Sequence, residues 1–466
     1  MRPILRFIVI ITLFNFSLSP SFGDDLVAIL NLAFENDPTL RQAKANYRVN
    51  RETVVQSRSS LLPSFGIQAA TTRLTSGPTS SRYMDIPNPI TGETVSTRVM
   101  NDHSFYPGIN NHNWGIGLNQ SLLNLSNWYN LQSARANDRA AAVNLASQEQ
   151  DLIMRVSMAY FDVLRAQELL ETNLQEEEAA LTSLQQTQQR EAVGLVAITD
   201  VYDAQAAYDL ATNTTILQRD ILQARYEALE ALTGQAHPEI EILREDFPIV
   251  EADGSLTDWE LQADNNSLAV AAAEFSLDAT RKTLKARKSD HLPTLDVSGF
   301  YGHIVTAPIV NQGIQIGGGA SDRTQIALNL NIPLYSGGAT NSRRRAAEYQ
   351  VLAAQESLEF TKRQLTQNIR NAYRRVNTDV LVIAQRQQSI TSAQSALDAT
   401  ELGAEVGTRN IVEVLRAREN LYRALRLYAD ARFDYVIDSL VLKQVAGILT
   451  PQDVIDLNEW LQEGEG

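Results

Sequence analysis

Two acids stand at matching places on the chain. "GLVAITDVYDAQAAYDL" (Gly194–Leu210) carries Asp200 six residues past a glycine, and "GTRNIVEVLRARENLYRAL" (Gly407–Leu425) carries Glu413 six residues past another. Arg409 and Arg416 flank Glu413, and Thr199 precedes Asp200. Such residues attract and hold charge; they do not by themselves break bonds. Their plainest role is local, since an acid in the first turn of a helix is favoured by the helix dipole. Bond-making chemistry finds no support elsewhere. The five histidines (103, 112, 237, 291 and 303) have no metal-ligand spacing, cysteine is absent, and no serine sits in a nucleophile-elbow pattern. The glycine-rich "GIQIGGGA" (Gly313–Ala320) lacks the lysine of a phosphate loop. The sequence therefore predicts no enzyme, no cofactor and no metal centre.

The turns belong to a duplication. "LLPSFGIQA" (Leu61–Ala69) returns as "HLPTLDVSG" (His291–Gly299), and "GLNQSLLN" (Gly117–Asn124) returns as "ALNLNIPL" (Ala327–Leu334). Tyr160 and Tyr373 are 213 residues apart, as are Gly194 and Gly407. Ordered matches at a constant offset mean that each half folds alike. The organisation read from the sequence is a signal peptide over 1–23, a first repeat over 24–233, a connecting, equatorial segment over 234–266 with a short helix from about Leu256, a second repeat over 267–446, and a short helix and tail over 447–466. The leader has Arg2 and Arg6, an apolar stretch from Phe7 to Phe14, and a small-residue cleavage site at Ser21-Phe22-Gly23. Its apolar run is shorter than the ~20 residues of a membrane-spanning helix.

Within a half, the pattern is helix, strand, loop, strand, long helix, turn, long helix. Ile153, Val156, Tyr160, Val163, Leu170, Leu174, Leu181 and Leu184 keep steps of three, four or seven; Ile369, Val376, Ile383, Ile390 and Leu397 keep a step of seven. That period predicts helices lying side by side in a shallow left-handed supercoil. The helices at 24–61 and 267–292 read as the first of each half. Trp114, Ile116, Leu118 and Leu122 alternate with small or polar residues, and Ile326, Leu328, Leu330, Ile332 and Leu334 do the same. This is the pattern of a strand with one face in lipid; a soluble sandwich strand alternates too. Gly/Pro/Ser/Asn-rich segments at 74–112 and roughly 305–322 read as loops between the strands. Four strands cannot close a barrel, and an open edge is not tolerated in lipid. Strands from two, three or four copies must then be pooled.

The net charge is −15, and −17 without the leader, which excludes a polyanion partner such as nucleic acid. One basic run, Arg343-Arg344-Arg345, stands just after the last strand; it suits lipid head groups or a solvated collar. Trp114 and Trp128 flank the second strand at places suited to an aromatic girdle.

"GLVAITDV", "GTRNIVEVL", "HLPTLDVSG", the duplication and the leader together resemble the TolC family of outer-membrane efflux proteins, over about Asp24 to Leu461. The resemblance implies a membrane α/β protein. Three chains would give a 12-stranded β-barrel, four strands per chain, continuous with a long α-helical coiled-coil tunnel through the periplasm of a Gram-negative bacterium. It implies a passive exit duct of a tripartite efflux or type I secretion system. The partners would be outer-membrane lipid, a periplasmic adaptor and an inner-membrane pump of RND, MFS or ABC type. A non-conducting trimeric stalk, structural or adhesive, is the alternative that heptads alone permit.

By the same resemblance, Gly194 and Gly407 turn the chain at the tunnel mouth, and Ile198, Val201, Ile411 and Val414 pack the restarted helices. Asp200 matches the acid of the family's closing links, Arg409 its basic partner on a neighbouring helix pair, and Thr199 lies within reach. Glu413 matches the first of two acids ringing the constriction. The second acid position holds Arg416, and the family's aromatic closing position holds Ala404, so the ring here carries both signs and one closing link is missing or relocated.

Overall fold

The structure, a computed structural model, describes residues 24–74, 80–101, 109–311 and 314–462; the expected leader lies outside them. The chain begins with α1 (Leu26–Asn36) and α2 (Pro38–Ser59), where one helix was expected. Pro38 has no N–H for the helical ladder. Asp37 caps the new start, its Oδ2 accepting the Leu40 N–H at 2.7 Å and the Arg155 guanidinium at 3.0 Å. Burial alone would raise the Asp37 carboxyl, but Arg155 and the Leu40 N–H outweigh it and hold it below the ordinary range.

Next come β1 (Ser64–Leu74), β2 (Ser80–Pro87), β3 (Thr94–Asn101), β4 (Ile109–Leu123), α3 (Leu125–Ala192) and α4 (Ile198–Thr233). A short β5 (Ile242–Leu243) leads to α5 (Leu256–Asn266), α6 (Leu268–Ser289), β6 (Thr294–Thr306), β7 (Ile309–Asn311), β8 (Ile314–Ile316) and β9 (Gly319–Asn331). The chain ends with α7 (Ala339–Glu405), α8 (Ile411–Val445), α9 (Pro451–Asn458) and β10 (Leu461–Gln462). Element lengths repeat: α1 and α5 have 11 residues, α2 and α6 have 22, α3 and α7 have 68 and 67, and α4 and α8 have 36 and 35. The two segments read as loops each contain a hairpin, β2–β3 and β7–β8. None of the described helices is long and apolar enough to cross a membrane.

One compact unit comprises residues 47–141 and 272–358. Its antiparallel sheet runs β1-β4-β6-β9. Register places Phe65 and Ile67 beside Leu118 and Ile116, Ile116 beside Tyr301, and Val297 beside Leu328 on one apolar face. Ile67 and Ile326 on that face are 79% and 81% exposed in the single chain, a surface that a water-soluble sheet would cover. On the other face, the Phe300 ring lies over Gly115 and Gly302; a Cβ at Gly115 would stand 2.5 Å from it.

The other unit comprises, among the described residues, 24–46, 142–271 and 359–462 and is largely helical. Its core is built on the predicted period: Ile153, Val156, Tyr160 and Val163 are buried, as are Ile369, Val376, Ile383 and Leu397. Leu174 breaks the pattern and is exposed. Tyr160, Phe161 and Phe433 form the largest buried aromatic group, with the Tyr160 hydroxyl donating to the Glu241 carbonyl at 2.7 Å. Polar side chains join α8 to α3: Arg165 Nη2 lies 2.6 Å from Asp434, Arg426 pairs with Glu176, and Arg418 Nη1 donates to the Ala179 carbonyl at 2.7 Å.

Candidate functional site

Both tip turns reverse the chain by the same device. Gly194 has φ 78° and Gly407 φ 76°, left-handed conformations that glycine adopts without cost from a Cβ. The Gly194 and Leu195 N–H groups donate to the Glu191 and Arg190 carbonyls, both at 2.8 Å. At the same offset of 213 residues, Gly407 and Thr408 donate to the Ala404 and Gly403 carbonyls at 3.2 and 2.8 Å. This pair of bonds satisfies the last carbonyls of α3 and α7. A Cβ at either glycine would meet open space, so the dihedral alone demands the residue.

The restarts divide one capping box between them. At α4 the cap position is Ala197, which has no side-chain oxygen; the carboxylate of Asp200 instead reaches back to accept the Ala197 N–H at 3.3 Å. At α8 the cap is Asn410, whose Oδ1 accepts the Glu413 N–H at 2.9 Å. Each helix thus has one half of the reciprocal pair.

Freed from backward capping, the Glu413 carboxylate takes Arg409 Nη1 at 2.5 Å. Arg409 is fixed from three sides. Its backbone N–H donates to the Gly403 carbonyl at 3.1 Å, its stem lies on Gly403, and its head is on Glu413. A Cβ at Gly403 would stand 2.7 Å from Arg409 Cγ, so this glycine seats the arginine. Sequence reasoning missed Gly403; the only signal was a second glycine four residues before Gly407.

The structure brings Arg409 and Glu413 together. In the single chain Asp200 and Arg409 each have a local partner, and Thr199 is exposed with no hydrogen bond among the described residues. Arg416 is exposed and without an ion pair among the described residues, in an α7–α8 groove shared with Glu413, Ser392, Thr400 and Asn420. Val414 packs with Leu397 and Leu421, and Ile411 against them, as expected. At the first tip Ile198 is 49% exposed rather than packed and Val193, Leu195 and Tyr202 are more open still, as are Leu402 and Val406 at the second tip. No set of three described His, Asp or Glu side chains is arranged to hold a metal ion.

Comparison with known proteins gives the same outline. A family profile described as outer membrane efflux protein matches twice, over residues 29–235 and 261–448. The chain is similar to outer membrane protein TolC of Vibrio cholerae serotype O1, with 35% identity over 95% of each chain. It is similar to the proteases secretion protein PrtF of Dickeya chrysanthemi, with 25% identity over 92% of this chain and 90% of that one. In fold it resembles the Campylobacter jejuni CmeC outer membrane channel, with a TM-score of 0.74 at 17% identity, over 94% of this chain and 90% of that one.

Proposed function

The chain belongs to the outer membrane efflux protein family, and on that premise we propose how its parts make and close a duct. It is an outer-membrane exit duct of the kind that serves efflux and type I secretion systems. Three copies pool their sheets into a 12-stranded barrel, and their helices form a periplasmic tunnel. The supporting observation is the four-stranded sheet itself. It has an exposed apolar face, and β1 and β9 each have a neighbour on one side only. Unpaired strand edges cannot stand in hydrocarbon, so β9 of one copy must meet β1 of the next.

The tips are the gate. Arg409, held on Glu413, reaches Asp200 or Thr199 of a neighbouring hairpin as the mouth closes, and Arg416 places positive charge beside the Glu413 ring. The open apolar side chains at Leu195, Ile198 and Val406 give an adaptor its footing, and an inner-membrane pump delivers cargo through it. Purified protein in a planar bilayer tests this directly. Step conductance from a trimer supports the duct, whereas a trimer that never conducts is a stalk and ends the proposal.

A further inference from the structure

The chain carries 40 basic and 55 acidic residues, yet the unit that holds the sheet has 17 basic against 12 acidic. Its cations gather at one end. β6 and β9 pair from Thr294 to Asn331 at the sheet end where α6 arrives and α7 departs. In α6, "RKTLKARK" (Arg281–Lys288) has five cations and no acid; α7 adds Arg343, Arg344 and Arg345 in its second turn.

Their local neutralisation is incomplete. Glu348 serves both Arg344, at 2.9 Å, and Lys288, at 3.9 Å. Lys285 lies over the Tyr129 ring at 5.9 Å. Arg281, Arg343 and Arg345 are exposed and have no carboxylate among the described residues, Arg343 having only a 3.5 Å contact to the Thr340 hydroxyl. Between β9 and α7, Leu334 and Tyr335 are 92% and 88% exposed. An apolar side chain, an aromatic and then a cation in succession is the order of environments met on leaving a bilayer.

We propose that this collar binds the anionic phospholipid head groups of the leaflet facing the periplasm. The proposal rests on the outer-membrane reading above and adds lipid selectivity to it. Three consecutive helical residues span about 200° around the axis, so a tube wall cannot turn all three arginines into its bore. Helix rise puts Arg343 about 6 Å past the start of α7 and Lys285 about 6 Å before the end of α6, within side-chain reach of phosphates at the strand ends. Cations at a membrane surface favour acidic lipid, and salt weakens the preference.

The full-length protein reconstituted in phosphatidylcholine vesicles, with brominated phosphatidylglycerol as quencher, reports the lipid shell through tryptophan fluorescence. Trp128, in the first turn of α3 and 48% exposed, is a reporter at that sheet end. The expected relative association constant of phosphatidylglycerol over phosphatidylcholine is about fivefold per engaged cation at low salt. It falls by about that factor for each arginine removed in Arg343→Gln/Arg345→Gln, and toward one at high salt. These arginines have no carboxylate to lose, so the variant keeps its fold; unchanged circular dichroism and trimer mobility check that. A native ratio near one overturns the proposal, as does an equal ratio in native and variant protein. A variant that alters trimer stability but not the ratio also overturns it, because the arginines would then serve a neighbouring copy. Conductance recorded in parallel separates failure of the collar from failure of the duct.

Discussion

Arg409, just before the start of α8, holds the carboxylate of Glu413 in the first turn of α8 at 2.5 Å, while its stem rests on Gly403. The acid of the constriction and the base of the closing link are therefore coupled inside one chain. Arg409→Gln frees Glu413 and removes the link, so the closed state loses twice. A partly exposed pair contributes about 0.5 kcal/mol, and three copies about 1.5 kcal/mol, roughly a tenfold change in the closed-to-open ratio. Single-channel recordings should show open events about ten times more often in Arg409→Gln, with a smaller gain in Glu413→Gln. Recordings indistinguishable from the native protein remove Arg409 from the gate.

Asp200 has two jobs that can be separated. Its carboxylate caps Ala197, which an asparagine oxygen can also do, and its charge is available to a neighbouring arginine. Asp200→Asn should keep the cap and open the channel. Asp200→Ala should open it equally and also weaken the start of α4 by about 0.5–1 kcal/mol, read as faster amide exchange at residues 198–201. Opening in the alanine variant alone assigns the effect to capping.

The two tip glycines and the sheet glycine differ in what they protect. Gly194→Ala and Gly407→Ala meet no atom but force a left-handed alanine, at about 1 kcal/mol each, and should loosen only the tips. Gly115→Ala puts a methyl 2.5 Å from the Phe300 ring and should disturb the sheet. Heat-resistant trimer on gels should survive the first two changes and decline in the third.

Much of this was legible because it rests on periodicity and on glycine. The seven-residue step found Ile369, Val376, Ile383 and Leu397, and the alternation around Trp114 and Ile326 found the sheet. The break at Asp37 escapes a coarse reading, although Asp-Pro is a helix start, because helix-forming residues continue on either side of it. The short helix from about Leu256 is legible and is α5; that its 11 residues match α1 is not, because it follows a proline-containing stretch that reads as a linker. The seat of Arg409 on Gly403 lies beyond sequence reasoning, because a glycine inside a helix does not announce what lies against it. The exposure of Ile198 has another cause: its sequence equivalent Ile411 packs in the single chain, while Ile198 faces outward.

A carboxyl pair on the facing helices α7 and α8 makes stability depend on pH. Asp379 is pushed up to about 6, first by burial and then by the charges of Asp438 and Asp434, with Arg375 opposing. One of its oxygens, Oδ2, is buried without a partner. The surrounding charges are distributed over three helices: Arg375 Nη1 stands 3.6 Å from Asp438, and Arg165 of α3 stands 2.6 Å from Asp434. Asp438 is also raised, by burial first, with Arg375 opposing, so below about pH 6 the facing pair shares a proton. A carboxyl whose folded value exceeds its unfolded value of 3.8 binds its proton more tightly when folded. Its contribution is therefore neutral below the unfolded value, and stability falls as pH rises from there through about 6. Asp379→Asn abolishes the charge and keeps a donor toward Asp438. Relative to the native protein, its Tm should be higher at pH 7.5 by on the order of 2–4 °C. The gap should close as pH falls through about 6 and vanish near the unfolded value of 3.8. Subtracting the native curve also cancels the Asp37–Arg155 pair, whose stabilisation is lost in acid and has the opposite sign. A gap that is constant across this range would mean that Asp379 is ionised throughout, and that the two helices meet without a shared proton.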